Sequence, residues 1–189
     1  MHAPKPFPAV SSDSPPGALR FRLQSDFDMS VDDLWAFHMR PEALSLLSPP
    51  LSGFRVLDRG DGVADGSVLR AEVGVWPLKS SWVALHCGVE PGRSFTDIAL
   101  ESPFPYWIHV HDFESLGDQR SRLTDSVWFL PPRFMGRFLG RILIKPFLRL
   151  MFAWRHRATG REAKRIVGRE AAVGNQAKAC GHAMSGGLS

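Results

Sequence analysis

The segment YWIHVHDFESLGDQRSRLTDSVWFL, residues 106–130, predicts two β-strands joined by the turn LGDQ. Within each strand, residues two apart share a face, so each half has one inward set of side chains. A hairpin that folds about Asp118 pairs the inward residues as Trp107 with Phe129, His109 with Val127, His111 with Asp125 and Phe113 with Leu123. A register shifted by two residues would place Asp125 opposite His109 or Phe113 instead. The segment therefore predicts an antiparallel hairpin with two imidazoles and a carboxylate on one face.

Further strands are predicted upstream of this hairpin. Short segments rich in β-branched and aromatic residues are separated by turns rich in Gly, Asp and Pro, which is typical of strands. They predict strands at 54–59, 67–76, 78–89 and 94–102, and the alternating segment LRFRLQSDF predicts another at 19–27. Because short connections favour antiparallel neighbours, we expect an antiparallel sheet of seven strands.

Two short helices are predicted after the first strand. Ser30 can cap a helix over 31–39, and Pro41 can start a second over 42–48 that ends at Pro49. Beyond the last strand the hydrophobic period becomes helical, with an apolar stripe of Phe138, Ile142, Phe147, Leu150, Met151 and Trp154.

A proline is tolerated in the first turn of a helix but not in its middle. Pro146 therefore predicts a break between a short helix at about 134–144 and a long one at about 146–166. This order of elements predicts an α+β helix-grip fold. In that fold a curved seven-stranded antiparallel sheet wraps around a long C-terminal helix, with two short helices after strand 1.

The length and composition fit one folded domain. The chain has 189 residues, 44% of them hydrophobic and 22% charged, which argues against disordered and fibrous classes. Residues 1–17 carry five prolines and are predicted to be flexible, whereas 168–189 are rich in Gly, Ala and Ser and predict a disordered tail. The domain is expected at 18–167. With no secretory leader and no long apolar segment, we expect a cytoplasmic protein.

Several local sequences resemble those of the START-like superfamily, also called the Bet v 1-like or polyketide cyclase/dehydrase (SRPBCC) superfamily, and more narrowly a bacterial branch of small single-domain members. The matching positions are Trp82, Pro103-Phe104, Trp107-x-His109-x-His111-x-Phe113, Thr124-Asp125-x-Val127 and Phe152-x-Trp154-Arg155-His156. The resemblance implies an internal hydrophobic pocket and a lipid-like, aromatic or polyketide-like ligand. It implies no single activity, because the fold hosts carriers, cyclases, hydroxylase domains and sensors.

Our main interpretation is a protein that binds a hydrophobic small molecule between its sheet and its C-terminal helix. The candidate ligand-binding residues are Trp82, Trp107, His109, His111, Phe113, Asp125 and Arg155. An alternative is a cyclase, dehydratase or isomerase in which His111 and Asp125 transfer protons. A further alternative is a buried polar network in which these residues, Arg155 and His156 only stabilise the fold.

Metal binding is weighed and not predicted. His109 and His111 could share a zinc ion with Asp125 as a third ligand, but no fourth ligand is evident. We therefore predict no metal and no cofactor.

The C-terminal helical region is strongly basic. Between Arg133 and Arg169 there are eleven Lys or Arg residues and one acid. The basic residues Arg133, Arg137, Arg141, Lys145 and Arg149 recur every four positions beside apolar ones. This pattern is typical of a solvated helix face and also suits transient contact with an anionic membrane through Arg137, Arg141, Lys145 and Arg149. A second alternative function is therefore a protein that binds a membrane surface or a partner through this basic helix. No nucleic-acid-binding motif is present, and the sequence leaves the oligomeric state open.

Overall fold

The computed structural model describes residues 14–50, 52–74, 79–132 and 136–185. In the last range, side chains are described at Phe138 and from 142 to 166. Arg133 lies outside the described residues, as do the side chains of Arg137 and Arg141.

All seven strands belong to one antiparallel sheet in the order β1-β7-β6-β5-β4-β3-β2. Along the chain the elements are β1 Leu19–Phe27, α1 Val31–Met39, α2 Ala43–Leu46, β2 Arg55–Asp58, β3 Val68–Val73, β4 Ser80–Glu90, β5 Ser94–Glu101, β6 Tyr106–Gly117, β7 Arg120–Leu130 and α3 Gly136–Ser185. The sheet is curved and open, with α3 packed against it. The predicted helix-grip fold is confirmed.

Two local predictions are confirmed, the N-terminal cap of α1 and the register of the β6–β7 hairpin. Ser30 caps α1, where its Oγ accepts a hydrogen bond from the backbone N–H of Asp33 at 3.1 Å. The β6–β7 hairpin has the register expected from a fold about Asp118, including His111 opposite Asp125. The alternative register, shifted by two residues, is excluded.

The predicted helix break at Pro146 is wrong, because α3 is one helix with this proline inside it. Proline removes one backbone donor and crowds the preceding turn. Packing on both sides keeps the helix in line, since Ile144 and Leu148 are both buried in the same cluster against the sheet. Helical backbone also continues through the segment predicted as a tail, as far as Ser185. Ala, Lys and Gln in that segment favour helix.

Two apolar clusters hold the sheet to α3. The first joins Phe21, Trp107, Val127 and Phe129 of the sheet to Ile144, Leu148 and Phe152 of the helix. The second contains Phe27, Met29, Leu34, Phe95, Phe113 and Leu123 together with Ala163 of the helix. Along β6, β7 and α3, polar residues lie between the residues of the two apolar clusters, so a polar layer separates the clusters.

No helix in the described ranges has both the length and the hydropathy needed to cross a bilayer.

Phe152 should contribute much more to stability than Phe138, another phenylalanine of the same helix. Phe152 is 0% exposed and its ring lies 5.4 Å from that of Phe21, whereas Phe138 is 80% exposed. We expect Phe152→Ala to lower the free energy of unfolding by about 3–5 kcal/mol. Phe138→Ala should change it by less than about 0.5 kcal/mol. Urea denaturation measures both, and equal losses would contradict this packing of α3.

Candidate functional site

Strand register brings five polar side chains to one face of the sheet. His86 on β4 lies opposite Asp97 on β5, and Asp97 lies opposite His109 on β6. Two residues further along β6, His111 lies opposite Asp125 on β7. Residues two apart on a strand share a face, so three imidazoles and two carboxylates form one group.

Asp125 is the most enclosed member of this group, at 2% exposure. Its Oδ1 accepts a hydrogen bond from His109 Nε2 at 2.8 Å, and its Oδ2 accepts one from His156 Nε2 at 2.7 Å. His156 belongs to α3, and its Nδ1 lies 2.7 Å from Ser25 Oγ on β1. Asp125 and His156 therefore tie the last helix to the middle of the sheet.

Asp97 is the second carboxylate, and its side chain is 22% exposed. Its Oδ1 accepts a hydrogen bond from His86 Nδ1 at 2.6 Å. Its Oδ2 lies 3.4 Å from His111 Nε2 and 3.9 Å from His109 Nδ1. Asp97 on β5 and Asp125 on β7 therefore contact His109 and His111 of β6 from its two sides.

His111 lies between the two carboxylates. Its ring stacks on Phe95, with the ring centroids 4.1 Å apart. Its Nδ1 is 2.9 Å from Asp125 Oδ1 but is not aligned for a hydrogen bond, so this contact is electrostatic. The predicted pairing of His111 with Asp125 is correct in register. The hydrogen bonds of that carboxylate, however, come from His109 and His156.

Both carboxylates stay ionised in spite of their surroundings. Burial alone would raise the pKa of Asp125, but the charge of His111 and the hydrogen bonds from His109 and His156 hold it well below its usual range. Burial would likewise raise the pKa of Asp97, and hydrogen bonds from His111 and His86 lower it instead. The site therefore contains two negative charges.

The two imidazoles of β6 have opposite pKa shifts. Burial would lower the pKa of His111, but Asp125 and Asp97 outweigh it and raise the value to about 9. Burial and the nearby charge of His111 lower the pKa of His109 to about 4. Near neutral pH the first ring is protonated and the second is neutral.

Two cavities meet beside this group. One, of about 450 Å³, has mainly apolar walls that include Trp82, Phe104, Trp107, Leu148 and Met151, with His109 as a polar member. The other, of about 410 Å³, is more polar, and its walls include His86, His111 and Asp125. They have five lining residues in common: Leu44, Leu47, Leu69, Asp97 and Arg155.

Arg155 takes a different place from its neighbour in the sequence. Its guanidinium carbon is 5.5 Å from the Phe152 ring centroid. In the described part of the chain, no hydrogen bond or ion pair joins its side chain to another residue. The sequence suggests a polar network that includes both Arg155 and His156. Only His156 contacts Asp125, while Arg155 lines both cavities.

The other predicted site residues divide between the cavities and the core. Trp82 and Trp107 line the apolar cavity, where their rings meet edge to face with centroids 5.3 Å apart. Phe113 lines neither cavity and packs against Trp35, with ring centroids 5.2 Å apart, in the second apolar cluster.

Asp97 and His86 are not among the site residues predicted from the sequence. The available signal is alternation, because Phe95, Asp97 and Ala99 share one face of a strand and the acid stands at an inward position. His86 occupies the same kind of position after Trp82 and Ala84.

Comparison with known proteins identifies the family. Residues 27–152 match the family described as polyketide cyclase / dehydrase and lipid transport. The chain belongs to this family. The START-like resemblance seen in the sequence is thereby confirmed. No curated protein sequence matches the chain.

Solved structures of two proteins with low sequence identity to this chain have the same fold. The Zhui aromatase/cyclase from Streptomyces sp. R1128 is 17% identical, with a TM-score of 0.64 over 79% of this chain and 96% of that one. A START superfamily protein from Mycobacterium smegmatis is 14% identical, with a TM-score of 0.58 over 78% and 98%.

A nucleoside-diphosphate sugar epimerase from Corynebacterium glutamicum is 25% identical, with a TM-score of 0.57 over 76% of this chain. The chain spans only 29% of the length of that protein.

Removing the charge of Asp125 should destabilise the fold strongly. Asp125→Asn keeps the shape but removes the more buried of the two counter-charges of the protonated His111, so we expect a loss of about 3–5 kcal/mol in the free energy of unfolding. Asp26→Asn is the matched control, because Asp26 pairs with Arg122 at 2.8 Å on the surface. Its loss should be much smaller. Similar urea midpoints for the two variants would refute the central role of Asp125.

Proposed function

We propose that this protein binds a hydrophobic small molecule that carries one polar group, in the joined cavities between the sheet and α3. The observation that carries the proposal is the sharing of Asp97 and Arg155 by an apolar cavity and a polar one. A space of this kind suits a ligand with an apolar body and a polar end.

The apolar cavity can hold the body of the ligand. Its volume of about 450 Å³ is within the range of small-molecule sites, which are mostly lined by aromatic and aliphatic side chains. Trp82, Phe104 and Trp107 provide an aromatic wall, and Met151 from α3 adds an adaptable thioether. These side chains favour flat or chain-like molecules over sugars and nucleotides.

Arg155 can receive the polar end of the ligand. A charge in a partly desolvated space is costly unless it is paired, and among the described residues this guanidinium has the face of the Phe152 ring beside it but no hydrogen-bond or ion-pair partner. A carboxylate, enolate or carbonyl oxygen would supply the missing acceptor. The family description and the Zhui aromatase/cyclase support a lipid-like, aromatic or polyketide-like ligand.

An enzyme of the cyclase, dehydratase or isomerase type is a second candidate. His111 and Asp97 line the polar cavity 3.4 Å apart, so an imidazole and a carboxylate stand beside the place where a carbonyl group would lie. Such a pair can move protons to and from a bound carbonyl compound. Turnover of a polyketide-like substrate that is lost in a folded Asp97→Asn variant would favour this candidate over simple binding.

Filling the junction of the cavities should abolish binding. Leu44 lines both cavities, whereas Leu46 on the same short helix is 46% exposed and lines neither. The environment-sensitive dye 1-anilinonaphthalene-8-sulfonate has a fused aromatic body and one anionic group. We expect it to bind the wild type at one per chain and Leu44→Trp at least about tenfold more weakly, with Leu46→Trp like the wild type.

Arg155→Met tests whether Arg155 binds the polar end of the ligand, because it removes the guanidinium and keeps an apolar side chain. It should weaken binding of the sulfonate dye and leave binding of the uncharged analogue N-phenyl-1-naphthylamine unaffected.

Equal affinity of the sulfonate dye for Leu44→Trp and Leu46→Trp would mean that the dye binds elsewhere and would refute the proposal.

We also propose that the N-terminal part of α3 docks on anionic membranes. Large apolar side chains are exposed there, namely Phe138, Ile142, Leu143, Phe147 and Leu150. Lys145 and the exposed Arg149 stand among them. Phe147 also lines the apolar cavity, so the exposed patch is continuous with the binding space. Basic and apolar side chains on one helix suit a membrane surface.

Vesicle co-sedimentation tests this docking. At low salt we expect the protein to sediment with vesicles rich in phosphatidylserine, and to be released by salt because the attraction is screened. Leu150→Ser should weaken sedimentation, whereas Leu100→Ser should not, although Leu100 on β5 is also largely exposed, at 60% against 70% for Leu150. Absence of binding at low salt, or equal effects of the two substitutions, would rule the docking out.

A further inference from the structure

Three side chains at the junction of the cavities are spaced like metal ligands. One nitrogen or oxygen atom from each of Asp97, His109 and His111 lies within 4.8 Å of the other two. Asp97 Oδ2 is 3.4 Å from His111 Nε2 and 3.9 Å from His109 Nδ1. In a tetrahedral zinc site with bonds of about 2.1 Å, neighbouring ligand atoms are about 3.4 Å apart. Small side-chain shifts would complete such a site.

Hydrogen bonds from outside the set orient two of these residues, Asp97 and His109, as in a metal centre. His109 Nε2 lies 2.8 Å from Asp125 Oδ1, and a carboxylate oxygen accepts the hydrogen bond, so Nε2 is the donor nitrogen of this ring. The other nitrogen, Nδ1, lies on the side of Asp97, 3.9 Å from its Oδ2, and is the ligand atom. A histidine ligand that donates its second N–H to a carboxylate is typical of zinc proteins. His86 orients Asp97 in the same way, at 2.6 Å.

The charges at the site also favour a cation. Asp97 and Asp125 form ion pairs with histidines alone in the described part of the chain, and no Lys or Arg lies within ion-pair distance of either. Two partly or fully buried carboxylates without a permanent counter-charge are costly. A divalent ion would balance both charges.

An ion at this position could be reached from the cavities and could contact a ligand there. Asp97 lines both cavities, His109 lines the apolar one and His111 lines the polar one. Three protein ligands leave a coordination position for water or a ligand oxygen, as in catalytic rather than structural zinc sites.

We propose that Asp97, His109 and His111 bind a divalent transition metal ion, with zinc as the first candidate, and that Asp125 and His86 orient these ligands. The set differs from the His109, His111 and Asp125 combination weighed from the sequence, because Asp125 is already occupied by His109 and His156. Two imidazoles and one carboxylate suit zinc and iron(II) better than calcium or magnesium. The proposal does not depend on the identity of the cavity ligand.

Metal titration of the full chain tests the site. Chelator-treated protein is titrated with zinc chloride by calorimetry and with cobalt(II) chloride by visible absorption. We expect one strong site per chain and a cobalt spectrum of low coordination number. Asp97→Asn should weaken zinc binding at least about 100-fold, and Asp125→Asn by about 10- to 100-fold. Asp112→Asn is the control, because Asp112 is exposed on β6 and points away from the cluster.

A second measurement keeps the test decisive if a variant does not fold. Bound zinc should raise the melting temperature of the wild-type protein, because the ion binds the folded state alone. Wild-type protein without a stoichiometric zinc or cobalt site would overturn the proposal. Equal affinities in folded Asp97→Asn and Asp112→Asn would overturn it as well, since they would place the ion elsewhere on the chain.

Discussion

The structure depends on one buried carboxylate, that of Asp125. Its two oxygens accept hydrogen bonds from His109 on β6 and from His156 on α3. The sheet and the helix are therefore joined by a buried carboxylate as well as by apolar contacts. Apolar contacts are nondirectional, whereas these hydrogen bonds set where along the sheet the helix lies. An unpaired charge in this position would be costly, so the buried carboxylate is stable only together with its hydrogen bonds from His109 and His156.

The polar layer around Asp125 separates two apolar clusters and explains why the space under α3 is amphipathic. Toward Trp107 and Phe152 the contacts are aromatic and close-packed. Toward Phe113 and Phe95 a second cluster holds the short helix α1. Between them the side chains are polar, and cavities border this layer on both sides of the shared residues Asp97 and Arg155.

The three proposals concern parts of the same space. The apolar cavity and its aromatic wall would hold the body of a ligand, and Arg155 or a metal on Asp97 would contact its polar end. The exposed apolar residues of α3 continue from the cavity wall through Phe147, so a docked helix would place this wall of the cavity at the membrane surface. The ligand-binding and metal proposals share Asp97, whereas the docking proposal rests on the exposed side chains of α3.

The sequence by itself determined the strands, the Ser30 cap and the shared face of His109 and His111, because alternation and turn chemistry are local; it left two registers open for the β6–β7 hairpin, and the structure selected the one that places His111 opposite Asp125. It also indicated a cavity under the last helix. Only the tertiary structure decided that Asp97 joins the histidines, that His156 and not Arg155 contacts Asp125, and that Pro146 lies within an unbroken helix. These features depend on how β5 and α3 are placed against β6 and β7. That placement results from packing between residues far apart in the chain, which no local pattern records.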